Sequence, residues 1–267
     1  MRLRFVVCIM ASAAVLTSSL TRAQTKPWNI AGLGTSPPAG SSAPAPRRDL
    51  SGTWDAGQRG IQPTGYNVST LFTAAGEKIA RANKPGNGPR IADVSEDNDP
   101  LSTLGDPAGF PRILLYELRP FQIVQTPNQV LMLYMFEKRW RVIWTDGRAF
   151  PKDPDPRWYG YSVGRWEDDY TLVVESVGTD DRTWLDNAGN PHSTSLRVEE
   201  RYRRVNQNTM ELTVTLQDPV IYTKSWTPLD KLPIRLMPND TDLMEMITSA
   251  SDALAYRREI ASQAKTK

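Results

Sequence analysis

The sequence contains very few of the residues that form disulfides and metal sites. Its 267 residues include one cysteine and one histidine. A single cysteine excludes a disulfide framework and a cysteine-rich metal site, and a single histidine excludes sites built from several histidines. Glycine-rich phosphate loops and a serine in a nucleophile elbow are also absent from the sequence. We therefore predict a protein that holds no metal and no organic cofactor.

The first 23 residues have the pattern of a secretory signal peptide. Arg2 and Arg4 precede an apolar run that ends at Leu20, and small residues at Thr21 and Ala23 fit cleavage before Gln24. The run is too short and too rich in serine and threonine for a typical membrane span. We therefore predict a periplasmic or secreted protein without stable membrane insertion after cleavage.

Cleavage would also change the charge balance. The full chain has 32 basic and 30 acidic side chains. Residues 1–23 hold three arginines and no acid, so the mature chain would keep 29 basic against 30 acidic side chains. This balance lacks the basic footprint of nucleic-acid binding, and we predict no nucleic-acid partner. Residues 24–48 are rich in proline, serine and alanine, which predicts a flexible linker.

Residues 49–267 are predicted to form a single, mainly β domain. Residues 210–217 alternate strictly between apolar and polar side chains, which is typical of a strand with one buried face. Several such segments joined by short turns favour an antiparallel up-and-down β-barrel, with a β-sandwich as the alternative. A long loop region over residues 55–112, with one helix near residues 71–82, precedes most of the strands. A C-terminal helix is predicted over about 241–263, with an apolar stripe at Leu243, Ile247, Ala250 and Leu254.

Two glutamates on predicted strands are candidates for acid–base chemistry. In the segment 192–205, alternation places Glu200 on the apolar face beside Tyr202. A buried carboxylate is costly unless it is paired, so Glu200 needs a cation or hydrogen-bond donors. Glu175 lies on a strand whose buried face is ambiguous, and it joins Glu200 only if it points inward. Both glutamates could instead form a structural ion pair with Arg141.

The loop 180–192 concentrates the other polar candidates. It contains acidic residues, Arg182, Trp184 and the single histidine. His192 and Asp186 could form an oriented base, because a carboxylate can fix the histidine tautomer. The alternative is that Asp186 caps a turn and His192 bonds the backbone.

Tryptophans could provide the apolar surface of a ligand site. Trp140 and Trp144 share a strand face, and flat aromatic walls suit rings or acyl chains. The same side chains could simply be core residues.

Several segments resemble a known family. They are DLSGTW, NDPLSTLGDPAGFPR, IWTDGR, WYGYSVGRWEDD and DRTWLDNAGNPHS. Together they resemble a family of secreted, largely uncharacterised bacterial proteins, and the opening strand is similar to that of the lipocalin (calycin) barrels. The resemblance implies a barrel fold and an extracytoplasmic location, and no particular activity. It also implies a pair of cysteines in relatives, where this chain has Gly105 and Thr248.

Three functions remain open from the sequence. The first is a barrel that binds a small hydrophobic or aromatic ligand in its interior, with an apolar lining of Trp140, Trp144, Trp184 and Tyr202 and polar contacts from Arg141 and Arg182. The second is a cofactor-free lyase, isomerase or hydrolase at the barrel mouth, with the acid–base residues His192, Asp186, Glu200 and Glu175. The third is a structural envelope protein.

Overall fold

The computed structural model describes residues 28–30, 43–247 and 249–264. The predicted signal peptide and most of the predicted linker lie outside the described residues. Within that linker, β1 (Asn29–Ile30) pairs in parallel with β11 (Thr241–Asp242).

Nine strands form a closed barrel, which confirms the predicted mainly β barrel over the sandwich alternative. Each strand pairs with its neighbour along the chain, and the last strand pairs with the first to close the ring. The strands are β2 (Gly52–Asp55), β3 (Phe121–Gln125), β4 (Gln129–Tyr134), β5 (Trp140–Trp144), β6 (Tyr161–Trp166), β7 (Thr171–Val177), β8 (Arg197–Asn206), β9 (Thr209–Gln217) and β10 (Trp226–Leu236).

Strand β9 shows why the alternating sequence builds a barrel wall. Its apolar residues Met210, Leu212, Val214 and Leu216 are all fully buried, while the polar residues between them are partly exposed. Strand β10 pairs with β9 along most of its length and with β2 near its C-terminal end. Two register shifts in β10 let one strand serve both neighbours, because bulges bend a strand and increase its twist.

One strand pair differs from the predicted antiparallel arrangement. Strands β5 and β6 are parallel, and they share only the pairs Ile143–Ser162 and Trp144–Val163. The chain between them, residues 145–160, must cross from one end of the barrel to the other, as every parallel connection requires. We call this boundary the β5–β6 seam.

The segment between β2 and β3 covers and fills the barrel. It contains more structure than the single predicted helix: α1 (Ala74–Ala82), α2 (Pro100–Leu104), α3 (Arg112–Leu115) and three short 3₁₀ turns. Thr73 caps α1 by accepting a hydrogen bond from the Gly76 amide at 3.0 Å. All of α3 is buried, and its leucines join the barrel core with the fully buried ring of Phe110. The barrel interior is therefore occupied by side chains of this segment.

The C-terminal helix α4 (Ala250–Ala264) begins later than predicted. Residues 241–242 belong to β11 instead, and Ser249 caps the helix by accepting from the Asp252 amide at 3.2 Å. The predicted apolar stripe is wrong, because Ile247 and Leu254 are more than half exposed. The helix packs on α2 rather than on the barrel, with Ala253 buried. Gly105 lies against Ala250, and Thr248 is outside the described residues. Within the described residues no helix is long and apolar enough to cross a bilayer.

Candidate functional site

A buried ion pair lies inside the barrel. Glu200 is fully buried, and Arg141 donates to both of its carboxylate oxygens from Nη2, at 2.8 and 2.7 Å. The hydroxyl of Tyr202 donates to Glu200 Oε2 at 2.6 Å. The prediction that Glu200 points inward and needs a cation is thus confirmed, and the cation is Arg141.

The environment of this pair fixes its charge state. Burial is the largest single influence and lowers the pKa of Arg141, but the electrostatic interactions with Glu200, Tyr134 and Tyr202 and the hydrogen bond to Glu200 together outweigh it. The pKa is therefore raised and the guanidinium stays charged. Burial, followed by the charge of Glu200, raises the pKa of Tyr202 well above its ordinary value. Burial also raises the pKa of the neighbouring Tyr134 to about 12. All three groups therefore keep one protonation state at neutral pH.

The interior around the pair is closely packed. The ring of Phe110 lies 4.1 Å from the Arg141 guanidinium carbon. Arg141 Nε and Nη1 and the Tyr134 hydroxyl have no hydrogen-bond partner among the described residues. Because burying an unsatisfied donor costs free energy, this cluster is a polar defect in an otherwise apolar core.

Glu175 points away from this cluster. In β7 it lies opposite Glu199 of β8, whereas its neighbour Val174 lies opposite Glu200. Directly opposite residues share a sheet face, so Val174 faces inward and Glu175 faces outward. The hypothesis of two inward glutamates is therefore wrong. The sequence could not decide, because Val173 on the outer face is as buried as its inward neighbours.

His192 and Asp186 do not form the predicted pair. Asp186 is fully buried and accepts from the Tyr66 amide at 2.8 Å, the Ala188 amide at 3.0 Å and the Asn190 side chain at 2.7 Å. Among the described residues, none of the hydrogen bonds of His192 goes to Asp186. Asp186 therefore accepts hydrogen bonds from turn backbone, which agrees with the alternative that Asp186 caps a turn.

His192 is held in a separate network. Its Nε2 lies 2.8 Å from the Thr183 hydroxyl, and its Nδ1 lies 3.3 Å from the Ser193 carbonyl oxygen. Burial lowers the pKa of His192, so its neutral form is favoured. The residues predicted for acid–base chemistry thus belong to distinct hydrogen-bond networks.

The other two predicted site residues of the loop 180–192, Arg182 and Trp184, have structural contacts. Arg182 is exposed, bonds Asp180 through Nη2 at 2.6 Å, and lies 4.3 Å over the Trp158 ring. Trp184 is buried beneath the guanidinium of Arg112, at 5.7 Å. Neither residue lines the barrel interior.

A second buried ion pair anchors the segment between β2 and β3. Arg112 donates to Asp99 through two nitrogens, at 2.7 and 2.5 Å, and both side chains are almost fully buried. A bidentate pair of this kind fixes orientation as well as position. It holds α3, and with it the neighbouring Phe110, in the barrel.

Two of the tryptophans predicted to line the interior lie on the outside of β5. Trp140 is 65 % exposed and Trp144 is partly exposed, whereas Arg141 and Ile143 between them are buried. Adjacent residues of a strand point to opposite faces. Since Arg141 faces inward to meet Glu200, Trp140 and Trp144 must face outward, and their predicted interior placement is wrong.

These outward residues form one wall of an open cavity of about 620 Å³ along the β5–β6 seam. We call it the seam cavity. Its lining combines aromatic rings and arginines: Trp140, Arg141, Val142, Trp144, Arg148, Ala149, Phe150, Pro151, Arg157, Tyr159, Gly160, Tyr161, Ser162 and Val163. Trp140 and Trp144, predicted from the sequence to bind ligand, therefore lie together outside the barrel. Arg141 also belongs to this lining, although its guanidinium points inward to Glu200.

Sequence analysis missed the opposite wall, which comes from the crossover 145–160 and the start of β6. None of the site residues predicted from the sequence lies in this crossover. The signal that could have revealed it is the interleaving of arginine and aromatic residues at Arg148, Phe150, Arg157, Tyr159 and Tyr161.

Two arginines of the cavity are stacked on its aromatic rings. Arg148 lies 3.3 Å over Trp144 and also bonds Asp146 at 2.6 Å. Arg157 lies 4.1 Å over Tyr161. Such cation–π contacts orient a guanidinium while leaving its N–H groups at the ring edge. These arginines are therefore positioned before any ligand arrives.

A buried carboxylate fixes the position of Tyr159 in the wall of the seam cavity. Glu137 accepts from the Tyr159 hydroxyl at 3.1 Å and from the Ala108 amide at 2.9 Å. Burial raises the pKa of Glu137, and burial also raises the pKa of Tyr159. Glu137 and Lys138 both have positive φ angles, of 60° and 50°, which are strained for residues other than glycine. The tight β4–β5 turn thus delivers Glu137 to the cavity wall.

The described residues provide no group of three or more histidine, cysteine or acidic side chains that could hold a metal ion. The seam cavity instead offers flat apolar walls with fixed cations, a composition that suits a small organic molecule. Comparisons of the chain with protein-family models, with curated proteins and with solved structures find no match.

Proposed function

We propose that the protein binds a small hydrophobic or aromatic molecule, and that it does so in the seam cavity rather than in the barrel interior. The observation that carries this proposal is the cavity itself. Its volume of about 620 Å³ falls in the range of small-molecule sites, and five of its lining residues are aromatic. Within the described residues, Phe110 and the α3 leucines are buried in the core of the barrel interior.

The rigidity of the walls supports this proposal. Glu137 holds Tyr159, and the pair of Asp146 and Arg148 braces Trp144. A ligand that enters pre-positioned walls loses little of its binding free energy to ordering the protein. Trp140 is 65 % exposed and lies among the other aromatic residues of the cavity lining. A contiguous apolar surface of this kind, unlike a single exposed tryptophan, indicates a binding site.

A titration with the neutral fluorescent probe N-phenyl-1-naphthylamine tests this proposal. We expect a saturable rise in probe fluorescence with the wild-type protein. Trp140→Ala should raise the Kd about tenfold, because an aromatic contact of this kind contributes roughly 1–2 kcal/mol. Because Trp140 is 65 % exposed, this change should leave thermal unfolding nearly unaltered.

Trp28→Ala is the matched control, since Trp28 is 80 % exposed and does not line the cavity. Equal loss of binding in both variants would contradict the assignment to the seam cavity. The absence of any saturable signal would refute ligand binding and favour the structural envelope protein.

The location outside the cytoplasm belongs to the same proposal, and the signal-like pattern of residues 1–23 supports it. Expression of the full chain in a Gram-negative host, followed by mass measurement of the periplasmic fraction, should give a protein that begins at Gln24. An uncut chain in the cytoplasm would refute it.

A further inference from the structure

We propose that the ligand of the seam cavity is an aromatic carboxylate, and that Arg157 binds its carboxylate group. This inference rests on the proposed function, because it names the chemical class of ligand for the same cavity.

The charges of the cavity lining carry the first step. Its charged residues are Arg141, Arg148 and Arg157, and the described lining includes no acidic side chain. Glu200 neutralises Arg141 inside the barrel, and Asp146 neutralises Arg148 at the surface. Arg157 forms no ion pair with any described residue. One positive charge is thus left uncompensated on the wall, and it favours a ligand with one negative charge.

The geometry of Arg157 carries the second step. Its guanidinium lies 4.1 Å over the Tyr161 ring, so the stacked face is occupied while the N–H groups at the edge remain available. Its backbone is anchored three times: its amide donates to the Gly178 carbonyl at 3.0 Å, and its carbonyl accepts from Gly160 at 3.1 Å and Asp180 at 2.9 Å. A planar donor set held in this way matches the two oxygens of a carboxylate.

The aromatic wall carries the third step. Trp140 and Trp144 lie on the β5 side of the cavity, and Tyr159 and Tyr161 lie on the crossover side. Flat rings of this kind favour a flat apolar body, and the volume is sufficient for a bicyclic ring system. A ligand with a ring at one end and a carboxylate at the other satisfies both the apolar walls and the unpaired cation.

Paired titrations with naphthalene-2-carboxylate and naphthalene-2-carboxamide test this inference. The two probes have nearly the same shape and differ in charge. We expect the wild-type protein to bind the carboxylate about tenfold more tightly than the amide at low salt, since a charge-assisted hydrogen bond is stronger than a neutral one. Higher salt should reduce this preference, because Arg157 is exposed.

Arg157→Gln should reduce the ratio of the two affinities to about one while leaving the affinity for the amide unchanged. Arg165→Gln is the matched control, because Arg165 is an exposed arginine of β6 outside the cavity lining. It should keep the wild-type ratio. Both substitutions are at exposed positions, and equal thermal unfolding of the two variants checks that each is folded.

The outcomes separate this inference from the proposed function. If both probes bind with equal affinity to the wild-type protein, the proposed cavity stands and the carboxylate inference fails. If the preference survives Arg157→Gln but is lost in Arg148→Gln, the assignment to Arg157 is overturned. If neither probe binds, the cavity is not a ligand site and both proposals fail.

Discussion

Removal of the Arg141 charge should strongly destabilise the protein. The side chains of Arg141 and Glu200 are 2 % and 0 % exposed. The Glu200 carboxylate accepts two hydrogen bonds from Arg141 and one from Tyr202, so Arg141→Met removes two of three and leaves a buried, uncompensated charge. We expect a loss of about 3–5 kcal/mol in the free energy of unfolding, the usual cost of breaking a buried pair from one side. For a domain with about 5–15 kcal/mol of stability, this is a large fraction.

The double variant Arg141→Met/Glu200→Met distinguishes a coupled pair from two independent core residues. It removes both charges and the unsatisfied guanidinium nitrogens, and the one group that newly loses its acceptor is the Tyr202 hydroxyl, at a cost of about 1–3 kcal/mol. We therefore expect it to be more stable than the Arg141→Met single variant. Urea unfolding followed by tryptophan fluorescence measures each free energy. A double variant as unstable as the sum of the two singles would refute the coupling.

The exposed pair Arg203–Glu211 gives the control. Its nitrogen and oxygen lie 3.4 Å apart, and the Arg203 side chain is 61 % exposed. Arg203→Met should cost less than about 1 kcal/mol, because water and salt screen a surface pair. A comparable loss at both arginines would show that side-chain packing, rather than the buried charge, sets the cost.

Three further predictions concern the walls of the seam cavity and the loop 180–192. Burial raises the pKa of Glu137 in the folded state. Its contribution to stability is therefore complete below its pKa in the unfolded chain and is lost as pH rises through its pKa in the folded protein. Glu137→Gln should remove this pH-dependent loss of stability, measured as urea midpoints from pH 4 upward. Burial lowers the pKa of His192, so its contribution is lost as pH falls below about 6.5, and its imidazole NMR signal should titrate with a midpoint below that of a free histidine. Gly160 has a φ of 59°, and a Cβ there would lie 2.6 Å from the Val177 carbonyl oxygen, so Gly160→Ala should shift the neighbouring wall and weaken probe binding. Gly88→Ala is the control, because Gly88 has a φ of 81°, a Cβ there would lie 2.5 Å from the Thr64 carbonyl oxygen, and it is outside the cavity lining; it should cost stability and leave binding unchanged.

The sequence predicted some strands well because only one arrangement satisfied their pattern. In β9 the apolar and polar sets are cleanly separated, so its bounds and its buried face follow from alternation alone. In β5 each of the two alternating faces carries large and partly apolar side chains, so the pattern does not decide which face points inward. Period-two alternation does forbid Trp140, Arg141 and Trp144 from facing the interior together. The choice between them depends on Glu200, which is 59 residues away in the chain and is known only from the tertiary structure.

The loop 180–192 was harder to predict for a different reason. Its polar residues are as concentrated as those of a catalytic site, but Asp186 is used to satisfy backbone amides of the segment around Tyr66 and of its own turn. A buried loop contains many backbone amides that have no partner in a helix or sheet and therefore need other acceptors. An aspartate is an efficient acceptor for them. Sequence proximity of Asp186 and His192 therefore could not show whether the carboxylate would meet the imidazole or the backbone.

The position of the seam cavity follows in part from the number of strands. A closed ring of nine strands cannot alternate in direction at every boundary, because nine is odd, so at least one neighbouring pair must be parallel. A parallel pair needs a long crossover, and such a connection can supply a wall beside the barrel. The sequence leaves three connections long enough, 56–120, 145–160 and 178–196. The parallel pair is β5–β6, so residues 145–160 are the crossover, and their arginines and aromatic residues line an open cavity beside the outer face of β5.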